Sequence, residues 1–373
     1  MMKQAFAKVL AVAVLFLSLC LAVDAMPTKL PNHNEKSQRI VIYLNEYIEQ
    51  LAAKGEFSGT VLLAKGDKIF YSAAYGLASK RFNVPNNLDT KFNLGSMNKM
   101  FTAIGIMQLV QAGKLSLTDK LSDFVDETWL AKEVSQKIEI HHLLSHSSGL
   151  DNYFNRTFMT SSKNNFRQLD DYKSLIVDST LLFEPGSKAR YSNTGMFMAG
   201  VVIEKVSGQD YFSYIREHIY QPAKMVNSDS YEMDQPVANL AIGYEANENK
   251  ATGWQNNNYM HVLKGGPSGG GFSTVHDLHQ FALALTQYQL LNEKLTKELF
   301  LAKSKLAYFD YGFGFTLRGD ASNRIVGHGG GFSGIGSNLD IYLDQGYVAI
   351  VMSNYTRGDR QVRNKIRELL VKS

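Results

Sequence analysis

The sequence predicts an α+β fold in which one antiparallel sheet is built from both ends of the chain. Two observations support this prediction: strand-like patterns cluster near the two ends, and the region between them shows mainly helical periods and loops. Such an insertion places a helical lobe beside the sheet, and a cleft where the two meet is the usual place for a site. We expect a sheet lobe of about residues 26–95 and 290–373, and a helical lobe of about 96–289.

The first 25 residues have the features of a secretory signal peptide. Lys3 and Lys8 precede an apolar run over residues 9–23, and Ala25 offers a small residue for cleavage. The run is short for a membrane span, so we expect no stable membrane span after cleavage and a secreted or periplasmic location. The single cysteine, Cys20, leaves with this segment, which excludes disulfide and thiolate chemistry in the mature chain.

The rest of the composition is that of an ordinary globular protein. The 373 residues are 45% hydrophobic and 20% charged, with a formal net charge of +4. Removal of residues 1–25 changes this charge to +3, because two lysines and one aspartate leave. Basic and acidic residues are interspersed without long like-charge blocks, so we expect no nucleic-acid partner, and no cofactor is indicated.

The N-terminal elements follow from their apolar spacing. Residues 36–55, KSQRIVIYLNEYIEQLAAKG, place apolar side chains three and four residues apart, which predicts a helix that ends at Gly55. Residues 57–76, FSGTVLLAKGDKIFYSAAYG, predict a β-hairpin whose turn lies at Gly66-Asp67.

The C-terminal part of the chain repeats the strand pattern. Four segments predict strands separated by glycine-rich turns: YGFGFTLRG, NRIVGHG, GSNLDIYLDQG and YVAIVMSNY. A last helix is predicted from about Asp359, whereas residues 96–290 show no convincing run of strands.

A serine stands three residues before a lysine where a helix begins, in LGSMNKMFTAIGIMQLVQAGKL. Positions i and i+3 share one face of a helix, so Ser96 and Lys99 point the same way. A serine hydroxyl becomes a good nucleophile when a base takes its proton, and a lysine amine can do so if its pKa is lowered by burial or a neighbouring positive charge. Ser96 and Lys99 are therefore candidate catalytic residues.

A tyrosine and an asparagine two residues apart form a second candidate pair, in FEPGSKARYSNTG. The hydroxyl of Tyr191 can act as a base only if a nearby cation such as Lys99 holds down its pKa. The amide of Asn193 can donate to a substrate carbonyl and orient a lysine. The structural alternative is a surface turn followed by a tyrosine that only packs.

A glycine-rich segment near the C-terminus, IVGHGGGFSGIG, is the third candidate. Glycines at a strand edge allow the backbone of a ligand to approach closely. We expect a free N–H group here to form half of an oxyanion hole, with the N–H of Ser96 as the other half. The structural alternative is a flexible turn between strands.

Taken together, Ser96-x-x-Lys99, Tyr191-x-Asn193 and His328-x-Gly330 resemble the motifs of the penicillin-recognising serine hydrolases. The resemblance is closest to the class C β-lactamase group, with its D-alanyl-D-alanine carboxypeptidase, D-aminopeptidase and esterase relatives. Four further segments are similar to family segments in the same order: LLSHSSGL, FEPGSKARYSN, GGGFSTVHDLHQF and YGFGF. The resemblance covers nearly all of residues 26–373 and implies a β-lactamase/transpeptidase-like fold. It also implies an exported hydrolase of a small-molecule or peptide substrate, including one derived from the cell wall.

The resemblance also implies a role for each motif residue. Ser96 would attack the acyl carbon and form an acyl-enzyme, Lys99 would keep it activated, and Tyr191 would shuttle protons. The N–H of Gly331 would complete the oxyanion hole with that of Ser96. The substrate-binding residues would be Asn193, His328, Gly330 and Gly331.

One departure from the family pattern concerns substrate choice. Members that recognise penicillin usually carry Lys-Thr-Gly or Lys-Ser-Gly in this strand, where the cation and the hydroxyl bind the substrate carboxylate. Here His328 and Gly329 take these positions, and a neutral histidine followed by glycine binds a carboxylate less well. We therefore expect a D-alanyl peptide or an ester in preference to a β-lactam. Arg357 and Arg360 are candidates for a substitute cation.

Three alternatives are left open by the sequence. GPSGG matches a nucleophile elbow around Ser268, followed by Asp320 and His328 in the usual order. A non-catalytic cell-wall or peptide-binding module on the same fold is the second. Metal-dependent hydrolysis is the third, although no H-E-x-x-H glutamate is present and we expect no metal. It would use two histidine pairs with ligand-like spacing: His142 with His146, and His276 with His279.

Overall fold

A large antiparallel sheet forms the middle of the molecule. The computed structural model describes residues 35–371. In chain order its strands are β1 (Gly59–Lys65), β2 (Lys68–Tyr75), β3 (Leu77–Ser79), β4 (Val84–Pro85), β5 (Phe92–Asn93), β6 (Tyr244–Ala246), β7 (Trp254–Asn256), β8 (Phe272–Ser273), β9 (Ser304–Leu306), β10 (Phe309–Tyr311), β11 (Thr316–Arg318), β12 (Ile325–Phe332), β13 (Ile335–Tyr342) and β14 (Tyr347–Ser353).

Helices lie on both faces of this sheet. In chain order they are α1 (Glu35–Ala53), α2 (Asn98–Gln111), α3 (Lys132–Ser135), α4 (Ile140–Leu144), α5 (Arg156–Thr160), α6 (Lys173–Ile176), α7 (Asn193–Ser207), α8 (Tyr211–Ile215), α9 (Val275–Thr286), α10 (Glu293–Leu299) and α11 (Asp359–Val371). A short 3-10 helix, Gly95–Met97, leads directly into α2.

The two ends of the chain meet within the sheet. The strand order is β2-β1-β14-β13-β12-β11-β10-β9, and the paired strands are antiparallel. Strand β1 pairs with β2 on one side and with β14 on the other, in a register that runs from Gly59 opposite Ser353 to Lys65 opposite Tyr347. The predicted α+β fold, with one sheet from both chain ends and a mainly helical insertion, is confirmed.

Alternate side chains of the central strands enter two different cores. Val61 and Leu63 of β1 pack with α1 and α11, whereas Leu62 and Ala64 enter the larger core, which includes α2, α7 and α9. This alternation follows from the two-residue period of a strand. Since both faces are covered, β1 and β14 are nearly continuous apolar runs.

Most of the predicted elements agree with the structure. The first helix and the hairpin with its turn at residues 66–67 are confirmed. The segment YGFGFTLRG was expected to be one strand but is divided between β10 and β11, because Gly314 adopts a φ of +76° against the main chain of Lys99. The middle region is mainly helical, as predicted, and its strands are the short β6, β7 and β8.

The segment proposed as a signal peptide, residues 1–25, lies outside the described residues. Among the residues that the structure does describe, no helix is both long and apolar enough to cross a membrane.

Candidate active site

Ser96 lies on a tight turn between the sheet and α2. Gly95 has a φ of +51°, and a Cβ there would come within 3.0 Å of the amide nitrogen of Gly331 on β12. Ser337 of β13 donates from its hydroxyl to the carbonyl of Leu94 at 2.8 Å, which ties the turn to the sheet. A glycine at position 95 therefore lets Ser96 lie directly against the edge of β12.

The amine of Lys99 is buried and has three polar neighbours. Its Nζ lies 3.2 Å from Oγ of Ser96 and 2.8 Å from Oδ1 of Asn193, and it also contacts the carbonyl oxygen of Ser268. Lys99 has no exposed surface, and this burial holds its pKa well below the usual range. A neutral amine has two N–H donors and one lone pair. The two acceptor oxygens of Asn193 and Ser268 take the donors, so the lone pair is left for the Ser96 hydroxyl.

Polar side chains on the Lys99 face of α2 bind the loop of residues 266–268, whose last carbonyl contacts the lysine. Asn98 donates from its side chain to the carbonyl of Gly266 at 3.2 Å, and Thr102 donates to the carbonyl of Pro267 at 2.8 Å. With Lys99 on the next carbonyl, three polar side chains of α2 bind three successive carbonyls of residues 266–268. This arrangement fixes the acceptor that orients the lysine.

Tyr191 stands two residues before α7, its ring centre lies 4.8 Å from Nζ of Lys99, and it lines the same cavities as Ser96. Ser192 caps the helix by accepting from the N–H of Gly195 at 3.0 Å, which fixes the approach of Tyr191 to the site. The expectation that Lys99 lowers the pKa of Tyr191 is wrong: burial raises that pKa instead. Since the buried lysine is itself driven toward its neutral form, it supplies little positive charge to stabilise a phenolate.

His328 is buried, and both its ring nitrogens are bonded inside the protein. Nε2 lies 3.0 Å from the hydroxyl of Tyr311, and Nδ1 lies 2.6 Å from the carbonyl oxygen of Gly329. Burial lowers the pKa of His328 to about 3. His328 does line a cavity beside Ser96, but neither ring nitrogen is left free in this arrangement.

The predicted glycines belong to a strand, not to a flexible turn. Gly330 and Gly331 lie within β12, paired with Ser337 and Gly336 of β13. A Cβ on Gly330 would overlap the carbonyl oxygen of Leu94, whereas a Cβ on Gly331 would meet nothing within 4 Å. Gly330 therefore packs on the Ser96 turn, and Gly331 borders open space beside it.

Two cavities meet at Ser96, Tyr191 and Gly331, which line both of them. The first has a volume of about 320 Å³ and also contains Asn193. Part of its wall comes from residues 260–262. Its aromatic lining residues are Tyr153, Phe154, Phe158, Tyr172 and Phe332.

The second cavity lies on the other side of Ser96, between β12 and α11, and has a volume of about 410 Å³. It is strongly basic. Arg363 pairs with Asp359 at 2.7 Å, and within the described residues no ion-pair partner faces the other three guanidinium groups. Its charged lining residues are Arg318, Arg357, Arg360, Arg363 and Asp359.

Sequence reasoning missed several residues of the site. Tyr153 contributes its ring to the first cavity and its hydroxyl lies 2.6 Å from Oγ of Ser268, although it belongs to no motif. Tyr311 lies in the YGFGF segment, which was noted without a role. The arginine lining was anticipated for Arg357 and Arg360 but not for Arg318, because β11 and α11 are far apart in sequence.

The alternative triad is not assembled. Ser268 is bonded to Tyr153, His328 to Tyr311, and the exposed Asp320 to Ser322. No described hydrogen bond joins Ser268, His328 and Asp320. Ser268 also lies in a loop that is followed by β8, whereas a nucleophile elbow leads directly into a helix.

The predicted metal pairs are not brought together as ligand sets. His146 is buried between the rings of Tyr191 and Tyr311, and His279 hydrogen-bonds to the carbonyl of Gly66 at 2.9 Å. In the described part of the chain, the one group with metal-like spacing is Glu139, His141 and His142. There Nδ1 of His142 accepts the N–H of Glu139 at 3.0 Å, so Nε2 carries the proton and has no lone pair for a metal.

A buried lysine beside a serine at the start of a helix, with a tyrosine and an asparagine from the start of α7, defines a serine-hydrolase site. The sequence profile of the beta-lactamase family matches residues 44–372, and the chain belongs to this family. Its relatives include penicillin-binding proteins, and a D-amino acid amidase and the hydrolase EstCE1 share its fold. The protein is therefore a serine hydrolase.

Individual comparisons agree with this assignment. A penicillin-binding protein of Bacillus subtilis is 32% identical over 327 residues, which are 84% of this chain and 71% of the relative. The crystal structure of a penicillin-binding protein from Bacillus halodurans is similar with a TM-score of 0.80 and 31% identity, over 87% of this chain and 99% of that one. A D-amino acid amidase from Ochrobactrum anthropi shares the fold at 21% identity, with a TM-score of 0.76 over 91% and 98% of the two chains.

Proposed function

We propose that this protein hydrolyses an amide or ester bond through an acyl-enzyme on Ser96. The observation that carries the proposal is the environment of Lys99. Nζ of Lys99 contacts Asn193 and Ser268 and lies 3.2 Å from the Ser96 hydroxyl. In the neutral form, which burial favours, the amine would donate to the first two and turn its lone pair to Ser96. That is the geometry of a general base beside its nucleophile.

In the acylation step, Oγ of Ser96 bonds to the acyl carbon while its proton passes to Nζ of Lys99. The carbonyl oxygen becomes an oxyanion, which the N–H groups of Ser96 and Gly331 would bind. When the C–N or C–O bond breaks, the neutral Tyr191 donates its proton to the leaving amine or alcohol and regains one from the lysine ammonium. The raised pKa of Tyr191 supports this proton-donating role.

Deacylation repeats these steps with water as the nucleophile. Water adds to the acyl carbon and gives a proton to the Lys99–Tyr191 pair. Ser96 leaves as the hydroxyl and the carboxylic acid departs. Each atom and proton that Lys99 and Tyr191 take is returned, so no cofactor is required.

For the substrate, we propose a D-alanyl peptide or an ester in preference to a β-lactam. The two cavities support a substrate with an apolar acyl portion and an anionic leaving portion. The aromatic cavity suits the acyl portion, and the arginines of the second cavity suit a carboxylate such as a peptide C-terminus. The Lys-Thr-Gly of penicillin-recognising relatives is replaced here by His328-Gly329-Gly330.

We also propose that residues 1–25 direct export, which would bring the enzyme to cell-wall substrates. N-terminal sequencing of the protein recovered outside the cytoplasm should then begin at Met26. An intact N-terminus on that protein would contradict cleavage after Ala25.

The acyl-enzyme is tested by the intact mass of the protein after brief exposure to a p-nitrophenyl ester, a D-alanyl thioester and a penicillin. We expect an adduct that maps to Ser96, is absent from Ser96→Ala, and forms most slowly with penicillin. Ser268→Ala is the matched control, because it removes the other serine hydroxyl of the cavity and should still form the adduct. An adduct that persists in Ser96→Ala but disappears from Ser268→Ala would overturn the proposal.

A further inference from the structure

Tyr311 and His328 form a buried pair that the mechanism above does not use. Tyr311 ends β10, His328 lies on β12, and their side chains are 0% and 4% exposed respectively. The two rings are perpendicular with centroids 5.8 Å apart, and the Tyr311 hydroxyl lies 3.0 Å from Nε2 of His328. On its other side, Nδ1 of His328 lies 2.6 Å from the carbonyl oxygen of Gly329.

These contacts determine which nitrogen of His328 carries the proton. A carbonyl oxygen can only accept, so Nδ1 carries the hydrogen that is donated to Gly329. Since the buried ring is neutral, Nε2 has the lone pair and accepts from the hydroxyl of Tyr311. The hydrogen bond from Tyr311 therefore stabilises the Nδ1-protonated tautomer of His328. That tautomer in turn donates a hydrogen bond to the carbonyl of Gly329.

That peptide group lies at the free edge of β12 beside the nucleophile. Thr316 of β11 donates to the carbonyl of Gly327 at 2.9 Å, and β11 pairs with β12 no further than Gly327. Because peptide groups along a strand alternate in direction, the carbonyl of Gly329 and the N–H of Gly331 face the same side as this carbonyl. His328 thus binds the carbonyl of Gly329, on the same strand edge as the N–H of Gly331, the proposed oxyanion donor.

The other side of this segment is already rigid. Gly330 packs against Leu94, and Ser337 bonds to the carbonyl of Leu94 at 2.8 Å. The hydrogen bond from His328 to Gly329 is therefore the contact that can orient the peptide groups of residues 329–331 on the free edge.

We infer that Tyr311 and His328 are a positioning pair that orients the edge of β12, so that the N–H of Gly331 is directed at the oxyanion formed at Ser96. This inference rests on the proposed function. It assigns His328 to the support of the oxyanion hole and not to direct binding of substrate.

Two substitutions of His328 separate these roles. In His328→Asn the side-chain amide can take the position of Nδ1 and donate to Gly329, whereas in His328→Gln it extends toward the position of Nε2. We expect His328→Asn to keep a kcat for the p-nitrophenyl ester at least about tenfold above that of His328→Gln, with similar KM values. If His328 instead bound substrate through Nε2, glutamine would be the better replacement and the differences would appear in KM.

Tyr311→Phe tests the other member of the pair. It removes only the donor to Nε2, so we expect kcat to fall about tenfold with KM unchanged. Tyr342→Phe is the matched control: its hydroxyl is also buried, on the neighbouring strand β13, but has no hydrogen-bond partner among the described residues. Thermal unfolding of every variant separates lost activity from lost folding.

The ¹⁵N NMR spectrum of histidine-labelled protein gives a readout independent of turnover. We expect a protonated Nδ1 and an unprotonated Nε2 for His328, and a change at this residue in Tyr311→Phe. A protonated Nε2, equal rates for the asparagine and glutamine variants, or an unchanged kcat in Tyr311→Phe would each overturn the inference. Failure of the wild-type protein to form an acyl-enzyme would instead overturn the proposed function. The NMR spectrum would then still test whether Tyr311 fixes the tautomer of His328.

Discussion

Lys99 shows how one residue acquires its chemistry from its surroundings. It emerges from a helix whose other side chains are almost all buried, and its amine is met by Ser96, Asn193 and the carbonyl of Ser268. No carboxylate contacts the amine among the described residues, so nothing offsets the cost of burying an ammonium ion. This environment supports the proposed role of Lys99 as a base rather than as a partner in an ion pair.

This environment predicts the pH dependence of the enzyme. Because the active form has neutral Lys99 and a lowered pKa makes that form available at lower pH, kcat/KM should rise with pH and level off well below the 10.5 of an ordinary lysine. Asn193→Asp places a carboxylate beside Nζ, which favours the ammonium form and should move the acidic limb to higher pH. The measurement is the pH–rate profile of ester hydrolysis for both proteins. A limb that stays in place or moves to lower pH in the variant would exclude Lys99 as the base.

At the scale of elements, the site depends on β12 lying unusually close to the Ser96 turn. Gly95, Gly330 and Gly331 meet where the turn crosses the strand edge, and the backbones approach to distances that a side chain at Gly95 or Gly330 would prevent. The run of glycines, which suggests flexibility in the sequence, therefore serves close packing of two backbones.

Two neighbouring glycines should consequently respond differently to the same change. Gly330→Ala forces a methyl group into the main chain of Leu94 and should cost about 1–3 kcal/mol of the free energy of unfolding, together with most of the acylation rate. Gly331→Ala has open space for its methyl group and should change stability by less than about 0.5 kcal/mol. Urea denaturation and acylation kinetics of the two variants provide the comparison. Equal stability of the two would contradict the packing described here.

At the scale of the whole molecule, the function arises where the ends of the chain come together. Strand β1 pairs with β14, α1 and α11 pack on the same face of the sheet, and α11 brings its arginines to the cavity beside Ser96. The aromatic cavity on the other side is formed by the inserted helical region and the end of β12. Under the proposed function, substrate recognition would be divided between the two lobes.

The division predicts selectivity for an anionic leaving group. The double variant Arg357→Ala and Arg360→Ala should raise KM about tenfold for an acyl-D-alanine with a free carboxylate, because charge-assisted hydrogen bonds are lost. For the same compound capped as an amide, KM should change less than about twofold. Arg324→Ala is the control, since Arg324 pairs with Asp344 at 2.6 Å and does not line this cavity. An equal increase in KM for both substrates would show that these arginines do not bind the carboxylate.

Much of the fold and of the site could be predicted because the signals are local. The apolar spacing of α1 and the turn at Gly66-Asp67 follow from neighbouring residues, and so does the shared helix face of Ser96 and Lys99. The order of the three motifs identified the family without any contact being known. The roles given to these residues depend on the acylation experiment.

What only the tertiary structure decided is the state of each titrating group and the partners of each polar atom. The sequence by itself determined that a serine, a lysine, a tyrosine and a histidine-glycine strand are present. It did not determine that burial would keep Tyr191 protonated or that the hydroxyl of Tyr311 would hydrogen-bond to His328. Nor did it determine that Arg318 would lie beside the arginines of α11. Desolvation and hydrogen bonding between separate elements depend on how these elements pack, and no local pattern encodes them.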